Sequence, residues 1–570
     1  MAFCRMLCRY WIFGVVLAVS SLLLAGCGSL PGRQPGGLEA REGSAARRER
    51  ADEKTIERLA RAHAHYAAGV VHEMDGDRAA AEKEYYQAAL LDPEDETLIL
   101  DVSAQLLRSK EKEKALEVVR RAAKEPEASG EVYARLGLIY AELDKPEKAE
   151  AANRVAIKKS PDSLAGYHNL CQGYLARKRP KEALKVLAQA ARRPHPDADF
   201  LIDLAEIYAM VSIQAPAHRT AANNEAQALL SRAVKLGALT PLLQLRVADG
   251  FNLLGDSAKA AEHYLAVLKD PPDLPLVEER VRANLAAIYL QGSDHKRASE
   301  QLRAILRDDP TNPQAYYYLG QLELQDRKPA EAAGHFSKAL LLRPDLQAAY
   351  YYLALAQLDL DKPNEALATL EQARQKFGQN FTVEYYTGLA YTRLKAYPEA
   401  VRHFIAAEVI AKATSPVQLN EGFYFRLGAA CERKGDYEQA EKYFEKCLQL
   451  APDSPETLNY LGYMWAERGV KLQRARELIE KAVKAEPKNA AYLDSLAWVL
   501  YKLGQPKAAL PHMLQAVELS EEADPTLYDH LGDIYAALKE PDKAVEAWRK
   551  SVSVQANEAV QKKIDAASPE

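Results

Sequence analysis

Hydrophobic and small residues recur every 34 residues along most of the chain, and the repetition is clearest between residues 313 and 380. In two successive segments, matching places hold Tyr316 and Tyr350, Leu319 and Leu353, Gly320 and Ala354, Ala332 and Ala366, Phe336 and Leu370, and Ala339 and Ala373. Places 4, 7 and 11 of each segment share one helical face, and small residues at places 8, 20 and 27 let a second helix approach closely. The pattern predicts a pair of helices per segment, whose apolar face only a neighbouring pair can cover.

The same spacing extends from residue 62 to residue 554. Segments start near residues 62, 96, 130, 164, 198, 241, 279, 313, 347, 381, 421, 455, 490 and 525, the second, fifth and thirteenth being the weakest. A charged lead-in helix is expected over residues 51–61, and a polar capping helix with a tail over residues 555–570. The pattern predicts one all-α superhelical solenoid of about 14 helix-turn-helix repeats instead of several globular domains.

Two delays interrupt the rhythm. In the fifth repeat, the small residues of the second helix arrive nine residues late, so Met210 to Asn224 must hold a longer helix end and a loop. Such an insertion projects from one face of a solenoid, where it is either a contact site or a tolerated change of loop length. A second delay, of six residues, surrounds Thr414-Ser415-Pro416.

The spacing resembles that of the tetratricopeptide repeat, whose pattern is W-x2-L-G-x2-Y, then A-x3-F, then P. The resemblance is carried by residues such as Leu319-Gly320, Ala332, Phe336 and Pro344, and it covers residues 62–554. In that family, places 2, 5, 9 and 12 of the first helix line a concave groove. The resemblance therefore implies a repeat scaffold that binds protein partners along this groove.

Aromatic residues occupy the groove places in six successive repeats. Place 5 holds Tyr317, Tyr351, Tyr385 and Phe425, and places 9 and 12 of the next two repeats add Tyr463, Trp498 and Tyr501. Rings offer a large contact area with few rotors to freeze, which is typical of binding hot spots. One hypothesis is a partner-binding stripe, and the other is that the rings pack between neighbouring first helices and set the curvature.

Chaperone-binding members of the family hold a terminal carboxylate with a set of Lys and Asn residues, and the groove of this chain lacks a set that resembles this carboxylate clamp. Its places 5 and 9 hold Tyr317 and Gln321, then Tyr351 and Leu355, then Tyr385 and Leu389. A ligand that docks by a terminal carboxylate is therefore not expected.

The N-terminus is typical of a secretory signal over residues 1–26. Arg5 and Arg9 precede an apolar run of 15 residues, Trp11 to Ala25, which is shorter than the roughly 20 residues that a membrane-spanning helix needs. The run ends in Leu24-Ala25-Gly26-Cys27, which resembles the bacterial lipobox. That likeness implies cleavage before Cys27 and lipidation of Cys27, with residues 27–50 as a flexible tether. The residue after the cysteine is Gly28, which resembles the pattern of lipoproteins that take the default route to the outer membrane in Gram-negative bacteria.

The net charge argues against nucleic-acid binding, and the motif content argues against catalysis. The net charge is −5, without the basic character of a nucleic-acid binder. The sequence has no phosphate-binding glycine loop, G-x-S-x-G, H-E-x-x-H or C-x-x-C. His63, His65 and His72 fit solvated helix positions better than a metal site. No enzymatic activity, cofactor, metal or small-molecule substrate is therefore expected.

Three cysteines fall at small-residue places of the repeats. They are Cys171, Cys431 and Cys447. Because their number is odd, they do not form a disulfide framework. Buried thiols are expected, with a pair between Cys431 and Cys447 as the alternative in an oxidising periplasm.

Two short sequences in the last repeats indicate a class of function. Leu461-Gly462-Tyr463 and Leu493-Asp494-Ser495-Leu496 are similar to the adaptor lipoproteins of periplasmic carboxy-terminal processing proteases. The resemblance implies a non-enzymatic adaptor, anchored by lipid to the outer membrane and facing the periplasm, that binds a protease or a cell-wall hydrolase. An assembly lipoprotein for a polysaccharide exporter or a pilus secretin is the alternative. A third alternative, from the enzyme class, is a glycosyl transferase whose repeats precede its catalytic domain. It would need such a domain after the array.

Overall fold

The computed structural model describes residues 53–274 and 276–567, and these residues form 29 α-helices and two short 3-10 helices without any strand. The predicted all-α fold is confirmed. The predicted signal segment, Cys27 and the predicted tether all lie outside the described residues. Among the described helices, none combines the length and the apolar character needed to cross a membrane.

In chain order the helices are α1 (Glu53–Met74), α2 (Arg78–Leu91), α3 (Glu96–Arg108), α4 (Lys112–Ala122), α5 (Gly130–Glu142), α6 (Pro146–Lys159), α7 (Ala165–Ala176), α8 (Pro180–Ala191), α9 (Ala198–Gln214), α10 (Arg219–Lys235), α11 (Pro241–Leu253), α12 (Ser257–Val267), α13 (Val277–Gln291), α14 (His295–Asp308), α15 (Pro313–Gln325), α16 (Pro329–Leu342), α17 (Gln347–Asp359), α18 (Pro363–Phe377), α19 (Phe381–Arg393), α20 (Tyr397–Thr414), α21 (Glu421–Lys434), α22 (Tyr437–Leu450), α23 (Pro455–Glu467), α24 (Leu472–Ala485), α25 (Ala490–Lys502), α26 (Pro506–Leu519), α27 (Pro525–Ala537), α28 (Pro541–Val554) and α29 (Glu558–Ala567). From α1 to α28 the helices form 14 successive pairs, in agreement with the predicted repeat number, and α29 follows alone. The lead-in segment and the first helix of the first repeat are one continuous helix, α1.

A single backbone feature marks the turn between the two helices of a pair. The fifteenth residue from each repeat start has a positive φ in every described pair except the fifth. Five of these residues are glycines (Gly76, Gly255, Gly435, Gly469, Gly504), and eight are not (Lys110, Asp144, Lys178, Ser293, Arg327, Asp361, Lys395, Lys539). A left-handed residue reverses the chain tightly enough for the second helix to start at once.

Within a pair, the helices touch where the sequence places a glycine opposite an aromatic ring. A Cβ added to Gly388 would lie 2.8 Å from Cδ1 of Phe404, and one added to Gly320 would lie 2.8 Å from Cε1 of Phe336. Both rings are fully buried. The phenyl ring therefore lies directly on the backbone of the first helix, which explains why small residues recur at place 8.

The two delays lengthen helices instead of forming wide loops. In the fifth repeat, α9 and α10 each have 17 residues and are separated by the 3-10 turn Pro216–His218. The second delay extends α20 to 18 residues before the 3-10 turn Pro416–Gln418. The predicted longer helix end is present, and the expected loop is only a short turn.

The helices divide into two compact units, the first ending at Ala260 and the second starting at Ala261, within α12. Each unit is a stack of helix pairs in which the second helix of one pair packs against the first helix of the next. All seven predicted groove aromatics belong to the second unit. One buried apolar cluster of that unit runs from Ala400 to Ala547.

Candidate functional site

The first helices of neighbouring pairs approach one another in the second unit. Such contacts join α15 to α17, α17 to α19, α23 to α25 and α25 to α27. In the described part of this unit, no two second helices of neighbouring pairs approach each other comparably. First helices that are closer together than second helices place the first-helix side on the concave face of the stack. We call this face, at places 2, 5, 9 and 12 of helices α15 to α27, the inner groove.

Tyr317 is a packing residue at the start of the groove. It is 5% exposed, and its ring centroid lies 5.9 Å from that of Tyr352 in the next repeat and 6.0 Å from that of Phe336. Its hydroxyl accepts a hydrogen bond from Nε2 of Gln321 at 3.1 Å. Burial raises the pKa of Tyr317. The structure places this ring between the helices, as the packing hypothesis proposed for it.

Tyr351, one repeat later, is only half-buried. Its hydroxyl accepts hydrogen bonds from Nε2 of Gln347 at 2.7 Å and from Nδ2 of Asn380 at 2.9 Å. Asn380 is itself fixed, because its Oδ1 accepts from the backbone N–H of Val383 and caps α19. Burial raises the pKa of Tyr351. The ring is held in one orientation with part of its surface open.

Tyr385 and Phe425 continue this half-buried line. The ring of Tyr385 stacks on that of Phe381 at 5.5 Å, and it lies 6.0 Å from the ring of Phe423 in the next repeat. Phe425 lies 5.7 Å from Phe444. The ring of Tyr385 joins α19 to α21, so the ring contacts continue across the second delay.

The groove aromatics of the last repeats form a polar, largely buried cluster. Trp498 is 6% exposed and lies between Tyr501, at 5.0 Å, and His530, at 3.8 Å between ring centroids. Its Nε1 donates to Glu467. Nδ1 of His530 lies 2.8 Å from Oδ1 of Asp494, and both residues are buried. Because it is 6% exposed and stacks on His530 of the next repeat, Trp498 joins repeats and offers little surface to a partner.

Tyr463 and Tyr501 lie beside this cluster and are half-buried. Burial raises the pKa of both hydroxyls. The seven predicted residues thus fall into two sets. Tyr317 and Trp498 are buried in contacts between repeats, whereas Tyr351, Tyr385, Phe425, Tyr463 and Tyr501 keep part of their surface accessible. Whether the accessible set binds a partner stays a prediction.

Asn380 is a residue of the site that the sequence pattern alone did not single out. The signal was available, since an asparagine just before a helix is a common N-cap. A capping side chain has a free amide group that can reach a neighbouring hydroxyl, here that of Tyr351.

The reactive side chains of the described region do not form a site. Cys171, Cys431 and Cys447 are buried free thiols, and burial raises their pKa values to about 12, 11 and 12. His65 lies 2.6 Å from Oε2 of Glu84. Among the described residues, no cluster of three or more His, Cys, Asp or Glu could hold a metal ion.

Models of the tetratricopeptide repeat family match four parts of the second unit. They match residues 284–349 and 351–416, residues 423–454 and residues 460–562. These parts of the chain are tetratricopeptide repeats, which confirms the coarser part of the expected resemblance.

The curated relatives match over short stretches. A TPR repeat-containing protein of Pseudomonas aeruginosa is 37% identical over 102 residues, or 18% of this chain and 17% of that protein. The human mitochondrial import receptor subunit TOM70 is 24% identical over 246 residues, or 42% of this chain and 35% of that protein. This chain therefore spans well under half the length of either relative. The type IV pilus assembly protein PilF of P. aeruginosa is 24% identical over 136 residues, 24% of this chain and 54% of that protein.

Among solved structures, the chain is similar to the APC/C hetero-tetramer Cut9–Hcn1, with a TM-score of 0.38 and 14% identity over 82% of this chain and 95% of that one. It is also similar to yeast Tom70, with a TM-score of 0.30 and 16% identity over 82% of this chain and 94% of that one.

Proposed function

We propose that this tetratricopeptide-repeat chain is a non-enzymatic scaffold that binds a protein segment in the inner groove of its second unit. The observation that carries the proposal is the row of half-buried rings at Tyr351, Tyr385 and Phe425 on the concave face. Each ring is held by contacts such as those of Tyr351 with Asn380 and of Tyr385 with Phe423, while part of it remains accessible. Preorganised aromatic surface binds a partner with little loss of side-chain entropy, which is how hot spots contribute most of the affinity of an interface.

The anchoring of the scaffold is a second part of the proposal. Lipid on Cys27 would hold the chain to the outer membrane, with the repeats in the periplasm. The support is the lipobox Leu24-Ala25-Gly26-Cys27 at the end of an apolar run. Two or more acyl chains anchor a protein stably, where a single chain is marginal.

The partner class follows from the resemblance of the last repeats. Their similarity to adaptors of a carboxy-terminal processing protease supports a protease or a peptidoglycan hydrolase as partner. An adaptor that holds such enzymes needs no catalytic groups of its own.

Photo-crosslinking tests the groove directly. A photoreactive residue placed at Leu355, which lies half-buried in the groove, should crosslink to an envelope protein in cells. The same residue at Leu341, which is 81% exposed on the second helix α16, is the matched control. Equal crosslinking at both positions, or none at Leu355, would contradict the proposal.

A substitution experiment tests the same proposal through partner capture. Replacing Tyr351, Tyr385 and Phe425 together by Ala should abolish capture of the crosslinked partner while the far-ultraviolet circular dichroism stays helical. The control replaces Tyr397 and Tyr437, two half-buried tyrosines at the starts of second helices, and should retain capture. Undiminished capture by the triple variant would refute the groove as the binding site.

Membrane anchoring has its own test. Cys27→Ser should move the protein from the membrane fraction to the soluble periplasmic fraction and should stop incorporation of labelled palmitate. A variant that keeps both properties would refute lipidation at this residue.

Assembly of a pilus is the second candidate, supported by the similarity to the PilF protein. The two candidates differ in what loss of the chain causes. Loss of a protease adaptor leaves pili intact and changes the lifetimes of envelope proteins, whereas loss of an assembly lipoprotein removes pili.

A further inference from the structure

The inner groove has an unusual charge distribution over helices α15, α17, α19 and α21. Its sixteen described positions are Gln314, Tyr317, Gln321, Leu324, Ala348, Tyr351, Leu355, Leu358, Thr382, Tyr385, Leu389, Thr392, Gly422, Phe425, Ala429 and Glu432, of which only Glu432 is charged. The whole chain is 27% charged, so about four charges would be expected among sixteen positions. We call this part of the inner groove the neutral segment.

The neutral segment is also partly open to solvent. Leu324, Leu355 and Leu389 are half-buried, like the rings beside them. These leucines are at places 9 and 12, next to the aromatic place 5, so the apolar surface forms a strip along the first helices. Apolar side chains that stay partly exposed, with almost no charged residues among them, are typical of a surface that a partner covers.

The polar side chains of the strip are mostly engaged within the repeats. Oε1 of Gln314 accepts from Arg343 at 2.6 Å, and Oγ1 of Thr392 donates to the backbone carbonyl of Gly388 at 2.9 Å. They therefore offer few groups that could neutralise an incoming charge.

The charge pattern changes at the twelfth repeat. The same four places in α23, α25 and α27 include the carboxylates of Glu456, Asp494, Asp529 and Asp533. Two of them already hold a cation, because Nζ of Lys563 in α29 lies 2.7 Å from Oδ1 of Asp529 and 2.7 Å from Oδ1 of Asp533. The neutral segment thus ends at the twelfth repeat, where the acidic end of the groove begins.

We propose that the neutral segment binds an extended peptide whose side chains are apolar and uncharged, a refinement that rests on the proposed scaffold function. A charged side chain bound here would lose its water and would find as counter-charges only Glu432 in α21 and the guanidinium of Arg343, which is already bonded to Gln314, so its binding is unfavourable. An apolar side chain gains free energy in proportion to the apolar area that it buries against the leucines and rings. The groove thus selects its ligand by rejecting charge as well as by attracting apolar surface.

The test measures binding of short fluorescent peptides to the full chain by anisotropy. One peptide is rich in Leu, Val and Thr, and matched peptides carry two central Lys or two central Glu residues. The neutral peptide should bind at least about tenfold more tightly than either charged one. Its affinity should be nearly the same at low and high salt, because no ion pair is formed.

Two variants assign the binding to the neutral segment. Leu355→Asp should abolish binding of the neutral peptide, and Leu355→Lys should increase the affinity for the Glu-containing peptide. Leu341→Asp, on an exposed second helix, is the matched control and should leave binding unchanged.

The outcomes separate this inference from the scaffold proposal. Tight, salt-sensitive binding of a charged peptide, or neutral binding that Leu355→Asp leaves intact, overturns the neutral-peptide inference alone. If the partner segment crosslinked at Leu355 carries charged residues, the neutral-peptide inference is also overturned. A second copy of the chain found at that crosslink would overturn the peptide inference in favour of self-association. Absence of both peptide binding and crosslinking overturns the two proposals together.

Discussion

Nδ1 of His403 lies 2.6 Å from Oε2 of Glu384, across the two helices of the tenth repeat. Glu384 is 1% exposed, and Nη2 of Arg374, from the preceding repeat, lies 2.9 Å from its other oxygen. The histidine ring also stacks on Tyr391 at 5.4 Å. One buried carboxylate therefore ties together both helices of its own repeat and the second helix of the repeat before it.

The eighth repeat contains the same arrangement with two residues exchanged. There His335, at the same place as His403, lies 2.5 Å from Oε2 of Glu323 and stacks on Tyr316 at 5.8 Å. Glutamate is at place 11 and tyrosine at place 4, the reverse of the tenth repeat. The contact depends on the three side chains together and not on which place supplies each of them.

Replacement of Glu384 by Gln should reveal this contact through its pH dependence. Burial by itself would raise the pKa of Glu384, but the hydrogen bond from His403 and the charge of Arg374 outweigh burial and hold the pKa below its ordinary value. A depressed pKa stabilises the fold above the unfolded-state value of about 4.3, and this stabilisation is lost as pH falls through the folded-state pKa.

We therefore expect E384Q to lower the free energy of unfolding by about 2 kcal/mol at neutral pH, the range for a charged hydrogen bond. The difference between variant and wild type should shrink below about pH 4. Thermal melts at several pH values measure both effects, with the exposed Glu331→Gln as the control. A difference that is constant across pH would contradict the electrostatic origin.

The inter-helix turn gives a stabilising prediction. Lys395 has φ of 59° at the fifteenth place, where Gly435 has φ of 87° in the next repeat. A left-handed backbone costs a residue with a Cβ about 1 kcal/mol relative to glycine. Lys395→Gly should therefore raise the unfolding midpoint in urea, and Gly435→Ala should lower it. A loss of stability in K395G would show that the lysine side chain contributes more than the strain it brings.

The close approach of Gly388 to Phe404 predicts a non-additive pair. Gly388→Ala places a methyl 2.8 Å from the buried ring, and overpacking of this kind costs about 1–3 kcal/mol. Phe404→Leu alone should also destabilise, because it leaves a cavity. If the contact is direct, the double variant should lose less stability than the two single losses added together. Additive losses would place the strain elsewhere.

The sequence pattern predicted the helix pairs but not which aromatic residues stay accessible. Tyr317 and Tyr351 share the same residue type and the same place, so nothing in the pattern separates them. Tyr317 is buried because the ring of Tyr352 in the next repeat covers it. The hydroxyl of Tyr351 is instead held by Asn380, and its ring stays partly open. The next repeat supplies a tyrosine at the same place in both cases, Tyr352 and Tyr386, so exposure depends on how the rings pack, which periodicity does not specify.

The positive φ at the fifteenth place was hidden for a related reason. Glycine marks this turn at Gly76, Gly255 and Gly435, but most repeats use a lysine or another residue there. Tertiary packing of the two helices imposes the left-handed turn whatever the local preference of the residue. Only the structure shows that these positions are equivalent.

Substitution of Trp498 and of Tyr351 should separate packing from binding within one groove. Trp498 is buried and stacks on Tyr501 and His530, so Trp498→Ala should destabilise by about 3–5 kcal/mol. The loss should appear as faster amide hydrogen exchange in α25 and α27, the two helices that Trp498 and His530 join. Partner capture at Leu355 should persist, because the neutral segment lies in other repeats. Tyr351→Ala should do the opposite, with little change in exchange and weaker capture. A loss of capture in W498A with unchanged exchange would place the binding site at the last repeats instead.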